Sequence, residues 1–183
     1  MKKGIIGVLV CLLLTGCAGP QTERATALRS RFLGEGCAFD ARITADYGAA
    51  VWEFSMQCKA DRDGTVRFTV FEPEEIAGIS GQVGENGSDL RFDGQALGFP
   101  LLADGQLSPA GAPWVLIKAL RCGCIRTSTA AGEGLRLCID DRYEDKAITL
   151  EIMTAEDDLP AEAEYFWEGR RILTLKLENF RFL

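Results

Sequence analysis

The chain has 183 residues, of which 20 are basic and 27 acidic, so its formal net charge at neutral pH is −7. This acidic balance gives the protein no electrostatic affinity for nucleic acids or for anionic lipid headgroups. The sequence contains no histidine, which excludes Ser-His-Asp and Cys-His catalysis and zinc sites that contain histidine. The absence of histidine also removes the most common general base, and we expect no catalytic residue, no bound metal and no other cofactor.

The N-terminal segment has the layout of an export signal. A basic start precedes an uncharged apolar run, residues 4–14, which is too short to remain as a membrane-spanning helix. The run ends at Leu14-Thr15-Gly16-Cys17, which resembles a bacterial lipobox. In such signals a diacylglycerol is attached to the cysteine, and a peptidase cleaves just before it. We therefore expect residues 1–16 to be a lipoprotein signal peptide; the alternative is an ordinary signal that happens to end at Cys17.

Lipidation at Cys17 would determine where the protein works. Removing the signal takes away two lysines and no acid, so the mature chain carries a net charge of −9. About two acyl chains are enough for stable anchoring, and an acidic body needs such an anchor. Residues 17–27 form a short tether and the start of the first helix, which would keep the domain at residues 28–183 close to the membrane. The expected location is the outer face of the cytoplasmic membrane, or the outer membrane of a cell with two membranes.

The first structured elements are a helix and a hairpin. Residues 22–33 predict a short helix that ends at Gly34. Residues 37–45 and 52–58 then alternate apolar and polar side chains, as half-buried strands do.

A turn about Tyr47-Gly48 that matches the two apolar faces places Ile43 opposite Trp52 and Cys37 opposite Cys58. Opposed cysteines in an exported protein predict a Cys37–Cys58 disulfide, with two buried free thiols as the alternative.

The remaining pattern is one of short strands around a second helix. Asp61-Arg62-Asp63-Gly64 predicts a hairpin turn; the alternative, a calcium loop, lacks an acidic or amide residue at position 59, which is Lys59. Ser108-Pro109 predicts the start of a helix that reaches Leu120. Further strands are expected at 65–71, 76–83, 90–92, 95–102, 124–128, 135–140, 147–153, 163–167 and 170–177. Together these elements predict one α+β domain, with the helices segregated on one face of a strongly curved antiparallel β-sheet.

Several segments share their order and turn chemistry with a known family. They are Phe71-Glu72-Pro73-Glu74-Glu75-Ile76-Ala77-Gly78, Leu90-Arg91-Phe92-Asp93-Gly94, Pro160, Ala163-Glu164-Tyr165, Gly169-Arg170-Arg171-Ile172 and Glu178-Asn179-Phe180. Over residues 28–183 the chain resembles the lipoprotein carriers LolA and LolB and the LolA-like lipoproteins of Gram-positive bacteria. This resemblance implies an unclosed half-barrel covered by helices on its concave side, with an apolar cavity that holds acyl chains.

The resemblance leads to two expectations about function. One is a membrane-anchored lipoprotein that binds a hydrophobic ligand, a lipid or an acyl chain, without catalysis. The other is a protein-interaction module with a filled core, the partner of a cell-envelope or cell-wall enzyme. Aromatic and aliphatic side chains that could line a cavity, or equally form an ordinary packed core, are Trp52, Phe54, Met56, Ile76, Ile79 and Trp114.

Three further cysteines remain. A hairpin that turns near Ala131-Gly132 would bring Cys138 close to Cys124, which predicts a second and weaker candidate disulfide and leaves Cys122 unpaired. The alternative is a Cys-x-Cys redox or metal site with Cys138 as the third ligand. Such a site would need a fourth zinc ligand, and no histidine exists to supply it.

Catalysis would require paired acids. The adjacent pairs in the sequence are Asp140/Asp141 and Asp157/Asp158. Neighbouring residues on a strand point to opposite faces, so we expect these to be solvated charges at turns or edges and the protein not to be an enzyme.

Overall fold

The computed structural model describes residues 19–100, 102–103, 106–142 and 147–183. The predicted signal peptide and Cys17 lie outside these residues. Within them the chain forms a single antiparallel sheet of 11 strands that does not close on itself, two α-helices and a small separate hairpin. No helix in the described ranges is both long enough and apolar enough to cross a membrane.

The strands of the large sheet follow one another as two meanders. The first contains β1 Cys37–Asp46, β2 Val51–Ala60, β3 Val66–Glu72, β4 Ser80–Gly84, β5 Gly87–Phe92 and β6 Gln95–Gly98. The second contains β9 Cys124–Ala131, β10 Gly134–Asp140, β11 Thr149–Thr154, β12 Pro160–Trp167 and β13 Arg170–Phe182. Strands β7 Leu102–Ala103 and β8 Gln106–Leu107 form the separate hairpin. The meanders join where β1 pairs with β13, so β6 and β9 are the two edges of the large sheet.

Two helices pack together beside the sheet. Helix α1, Pro20–Gly34, buries Ala25, Leu28 and Phe32, at the spacing that the sequence pattern predicts. Helix α2, Ala112–Cys122, follows a 3-10 turn at Pro109–Gly111, so the α-helix begins later than predicted. The strand expected at residues 76–83 begins only at Ser80, because a second 3-10 turn, Glu74–Ile76, and a turn at residues 77–78 precede it. Helix α2 contacts α1, β2 and β10, and eight of its 11 residues are buried.

The core is built from one face of the sheet and from α2. Alternate strand residues are buried in every strand near the middle of the sheet, which is the pattern expected when one face is covered. The buried face includes Phe39, Ala41, Ile43, Val66, Phe68, Val70, Leu135, Leu137, Leu150, Ile152, Leu173 and Leu175. These residues and the apolar side chains of α2 belong to one hydrophobic cluster. The prediction of an α+β domain with a large antiparallel sheet is confirmed.

The register of the first hairpin differs from the prediction by two residues. Cys37 faces Ala60 and Cys58 faces Phe39, so the predicted opposition of the two cysteines is wrong. The cause is a wider loop, residues 47–50, in which Gly48 adopts a left-handed φ of 84°. The Gly48 N–H donates to the Asp46 carboxylate at 2.8 Å, and this local turn replaces the tighter one that the sequence suggested.

Candidate functional site

The middle of the apolar face is fully occupied by protein. Met56 is completely buried, and only 8% of Trp114 is exposed, with the Lys118 ammonium 5.2 Å from the centroid of its ring. Two of the residues predicted to line a cavity therefore belong to the packed core. Phe54, Ile76 and Ile79 are half-buried against the same core.

Helix α2 is fixed to its surroundings at both ends. At its N-terminus, the buried Tyr165 hydroxyl donates to the Ala112 carbonyl at 2.7 Å. Just before the helix, the Tyr47 hydroxyl donates to the Leu107 carbonyl. At its C-terminus, the Arg29 guanidinium of α1 donates to the carbonyl of Gly123 at 2.7 Å. These contacts hold α2 over one part of the apolar face.

The apolar face continues beyond α2 onto the edge strands. Phe68 of β3 pairs with Gly81 of β4, and Gly81 pairs with Leu90 of β5. Leu90 in turn pairs with Leu97 of β6. Since directly paired residues point to the same face of a sheet, Leu90 and Leu97 lie on the same face as Phe68. Exposure is 70% for Leu97 and 56% for Phe92, which is two residues from Leu90 on the same face. Trp52, opposite the buried Ala45, shares this face and is 60% exposed. We call Leu90, Phe92 and Leu97, together with Trp52 three strands away on the same face, the uncovered apolar strip.

The strip contains one predicted residue and three that the prediction missed. Trp52 was expected to line a cavity, whereas Leu90, Phe92 and Leu97 were not selected. Their alternation with polar neighbours is visible in the sequence, so it could have marked a strand face. The pattern could not show that this face stays exposed, because exposure depends on how far α2 extends across the sheet.

The five cysteines within the described residues are all free thiols. Cys37 and Cys58 are diagonal neighbours on the buried face; such positions lie about 7–8 Å apart, beyond the usual span of a disulfide. Burial raises the pKa of the Cys37 thiol to about 12 and that of Cys58 well above its ordinary value. Both groups are therefore neutral and poorly nucleophilic in the folded protein.

The other three cysteines are closer to the surface. Cys124 faces Asp140, whereas Cys138 faces Thr127, so these two cysteines are not directly opposed. Cys122 is exposed at the end of α2, and its thiol donates to the Lys118 carbonyl. No group of histidine, cysteine or acidic side chains in the described part of the chain is arranged to hold a metal ion.

The paired acids have separate structural contacts, and Asp140 and Asp141 are buried, so the expectation that they are solvated charges is wrong. Asp140 accepts hydrogen bonds from Arg126 and from the Thr149 hydroxyl, whereas Asp141 accepts the Ile148 N–H at 2.7 Å.

In the second pair, Asp158 pairs with Arg24 at 3.0 Å, and Asp157 accepts the Leu159 N–H at 3.1 Å. Each of these four carboxylates is used to hold a turn, a strand pair or a helix.

No protein-family model matches the chain, and no curated protein matches it. Among solved structures it is similar to an uncharacterized conserved protein from Thermus thermophilus, with 14% identity, 90% of this chain and 88% of that chain covered, and a TM-score of 0.49. It is also similar to a LolA superfamily protein from Nitrosomonas europaea, with 10% identity, 86% and 92% covered, and a TM-score of 0.44. For the lipoprotein LppX of Mycobacterium tuberculosis these values are 8%, 89% and 96%, and 0.43. The structures to which this chain is similar thus include one that is described as a LolA superfamily protein.

Proposed function

We propose that the protein is an extracytoplasmic lipoprotein, anchored through a diacylglycerol on Cys17, that binds a hydrophobic ligand without catalysis. The ligand would be a lipid or an acyl chain bound against the uncovered apolar strip. In this proposal the helices lie on the concave side of the sheet. The observation that carries this proposal is the exposure of Leu97, Phe92 and Trp52 on the same face that forms the core. Exposed apolar surface of this kind is costly in water, and an apolar ligand would remove that cost.

The anchor and the ligand site together suggest a stationary binder. Helix α1 begins at Pro20, so only two residues separate it from Cys17. A body on such a short tether stays at the bilayer surface, and it can receive or present a ligand there but cannot carry it across a gap. A receptor or local presenter is therefore the role that we favour.

A second candidate function is a protein-interaction module in the cell envelope. It is favoured by the complete burial of Met56 and the near-complete burial of Trp114, because a filled core leaves no room for a ligand beneath α2. In this case the uncovered apolar strip would be covered by a partner protein.

Extraction of the purified protein separates the two candidates. The protein is purified from its membrane fraction, washed with lipid-free detergent and extracted with organic solvent, and the extract is analysed by mass spectrometry. The anchor remains covalently attached to Cys17, so a co-purifying lipid at near-equimolar amount supports the first function. Recovery of no lipid above the level of an unrelated lipoprotein, purified in parallel, would leave the interaction module as the better account.

A further inference from the structure

We propose that a groove at the ends of β2 and β3 binds a cationic peptide segment of a partner protein that carries an aromatic or aliphatic side chain between its positive charges. The groove is distinct from the uncovered apolar strip and has a volume of about 650 Å³. Its apolar floor includes Phe71, Pro73 and Ala77.

The floor is exposed because the strand pairing is irregular there. Ser55 faces Glu72 while Met56 faces Val70, so Phe71 is an extra residue on β3. An extra residue of this kind bends the strand and redirects its side chain. The Phe71 ring is consequently 48% exposed at the groove, although it lies beside the core strand β2.

Acidic side chains surround this floor. Glu53, Glu72 and Glu74 line the groove, against a single cation, Arg42. The buried Ser55 hydroxyl donates to Glu72 at 3.1 Å and so holds that carboxylate in place. The groove therefore has a net negative charge over an apolar floor.

The protein's own cations do not neutralise these acids. Elsewhere on the described surface, Asp61, Glu151 and Glu164 each form an ion pair with an arginine of the same chain. The three groove glutamates take part in no ion pair within the described ranges. A partner that brings lysine or arginine would therefore supply the missing positive charge, and its ammonium or guanidinium could also lie over the Phe71 ring.

The occupant that fits this chemistry is a peptide. An acyl chain would fit the floor, but an anionic headgroup would be repelled by three carboxylates. A bare metal ion would not use the apolar floor. A short segment with alternating cationic and apolar side chains matches both features of the groove.

The groove also faces away from the expected anchor. The first turns of α1 contact the β9–β10 and β11–β12 turns, where Arg24 binds the Glu133 carbonyl and Asp158. In the sheet pairing these turns lie at the same strand ends as the β2–β3 turn, whereas the groove lies at the opposite ends. If Cys17 carries the lipid, as we propose above, the groove opens away from the membrane, toward a partner in the surrounding compartment.

Peptide binding to the membrane-anchored protein tests the proposal. The full chain is anchored in phosphatidylcholine vesicles and titrated against a fluorescein-labelled Gly-Lys-Phe-Lys-Gly peptide, with protein-free vesicles as the blank. Matched peptides replace both lysines with glutamate, or the phenylalanine with serine. We expect saturable binding of the first peptide, at least about tenfold weaker binding of the other two, and weaker binding at high salt.

Two triple variants with the same change of charge locate the site. E53Q/E72Q/E74Q should weaken binding at least about tenfold, while the side-chain amide oxygen that E72Q introduces can still accept the Ser55 hydrogen bond. The control E85Q/E156Q/E178Q removes three exposed acids away from the groove and should bind as the unaltered protein does. Phe71→Ala should weaken binding without changing the salt dependence.

Several results would overturn the proposal: no saturable binding, equal losses in both triple variants, or equal binding of the glutamate peptide. The titration is repeated with the full chain in non-ionic detergent micelles, which requires no lipid anchor and no recovered lipid, so the proposed function and this inference can fail separately.

Discussion

Arg29 on α1 caps the C-terminus of α2 by donating a hydrogen bond to the carbonyl of Gly123. Its Nη2 donates to the Gly123 carbonyl at 2.7 Å, and its Nε donates to the Leu120 carbonyl at 3.0 Å. The last carbonyls of a helix have no partners within the helix, and a cation near them also interacts favourably with the helix dipole. Arg121 on α2 returns the contact by donating to the Phe32 carbonyl of α1. The two helices therefore stabilise each other's ends.

Replacing Arg29 with lysine should destabilise the protein although the charge is kept. Lysine has no planar fork and cannot reach both carbonyls in the same way. We expect the free energy of unfolding, measured by urea denaturation, to fall by about 1–2 kcal/mol. The exposed Arg62→Lys should change it by less than about 0.5 kcal/mol. Equal effects of the two substitutions would show that the contact with Gly123 contributes nothing.

Replacing Tyr165 with phenylalanine should also destabilise the protein. The substitution keeps the ring and removes the donor to the Ala112 carbonyl in a fully buried position. We expect a loss of about 0.5–1.5 kcal/mol in the free energy of unfolding, which is the usual net contribution of one buried hydrogen bond. Tyr47→Phe removes a similar hydrogen bond at a half-buried position, where water can replace it, and should cost less. The comparison is made by urea denaturation, and a larger effect at Tyr47 would contradict this account.

The buried thiols should make stability decrease in alkaline solution. Burial raises the pKa of Cys37 from an ordinary value of 9.0 to about 12, so between these values the unfolded chain loses the proton while the folded protein keeps it. The stability that depends on the neutral thiol is complete below pH 9 and is lost as the pH rises toward 12. The urea midpoint should fall over this range more steeply in the unaltered protein than in Cys37→Ala. Parallel pH profiles would mean that folding does not raise the pKa of Cys37.

A charge on the uncovered apolar strip should prevent ligand binding without unfolding the protein. Leu97→Glu places a carboxylate on an edge strand at a position that is mostly exposed, so the melting temperature should change little. Uptake of a fluorescent fatty acid should fall by at least about tenfold, because a charge in an apolar contact is strongly unfavourable. Leu33→Glu, at an exposed leucine on α1, serves as the matched control. Equal uptake by Leu97→Glu and the unaltered protein would exclude the strip as the ligand site.

Substitution of Cys17 should release the protein from its lipid. Cys17→Ser removes the thiol that would carry the diacylglycerol, and we expect no incorporation of radiolabelled palmitate during expression in a bacterial host. The same substitution at the free, exposed Cys122 should leave incorporation unchanged. Label retained in Cys17→Ser would show that the lipid, if present, is attached elsewhere.

The strand pattern was predictable because burial follows the two-residue period of a sheet. The alternation around Phe39, Ala41 and Ile43 identifies the buried face of β1 correctly. Their pairing partners were not predictable, because Asp46 and Gly48 form a local turn that moves the register by two residues. The face of a strand depends on its own residues, whereas its register depends on the loop.

The candidate site was less predictable than the fold. Met56, Trp114 and Trp52 are all large apolar residues in a sequence that resembles a lipid carrier, yet two are buried and one is exposed. What distinguishes them is the position of α2, which depends on long-range contacts such as Tyr165 with Ala112 and Arg29 with Gly123. Neither contact joins neighbours in the sequence, so the local pattern contains no sign of it.

The pairing of β1 with β13 has a consequence for how the protein matures. In this pairing Cys37 lies opposite Phe182, so the two meanders become one sheet only after β13 has been made. Contacts between residues so distant in sequence form slowly. If the chain crosses a membrane with its N-terminus first, β1 emerges early and waits with one open edge until β13 arrives. That interval is when the protein is most exposed to aggregation or to capture by a chaperone, and it ends when the last strand enters the middle of the sheet.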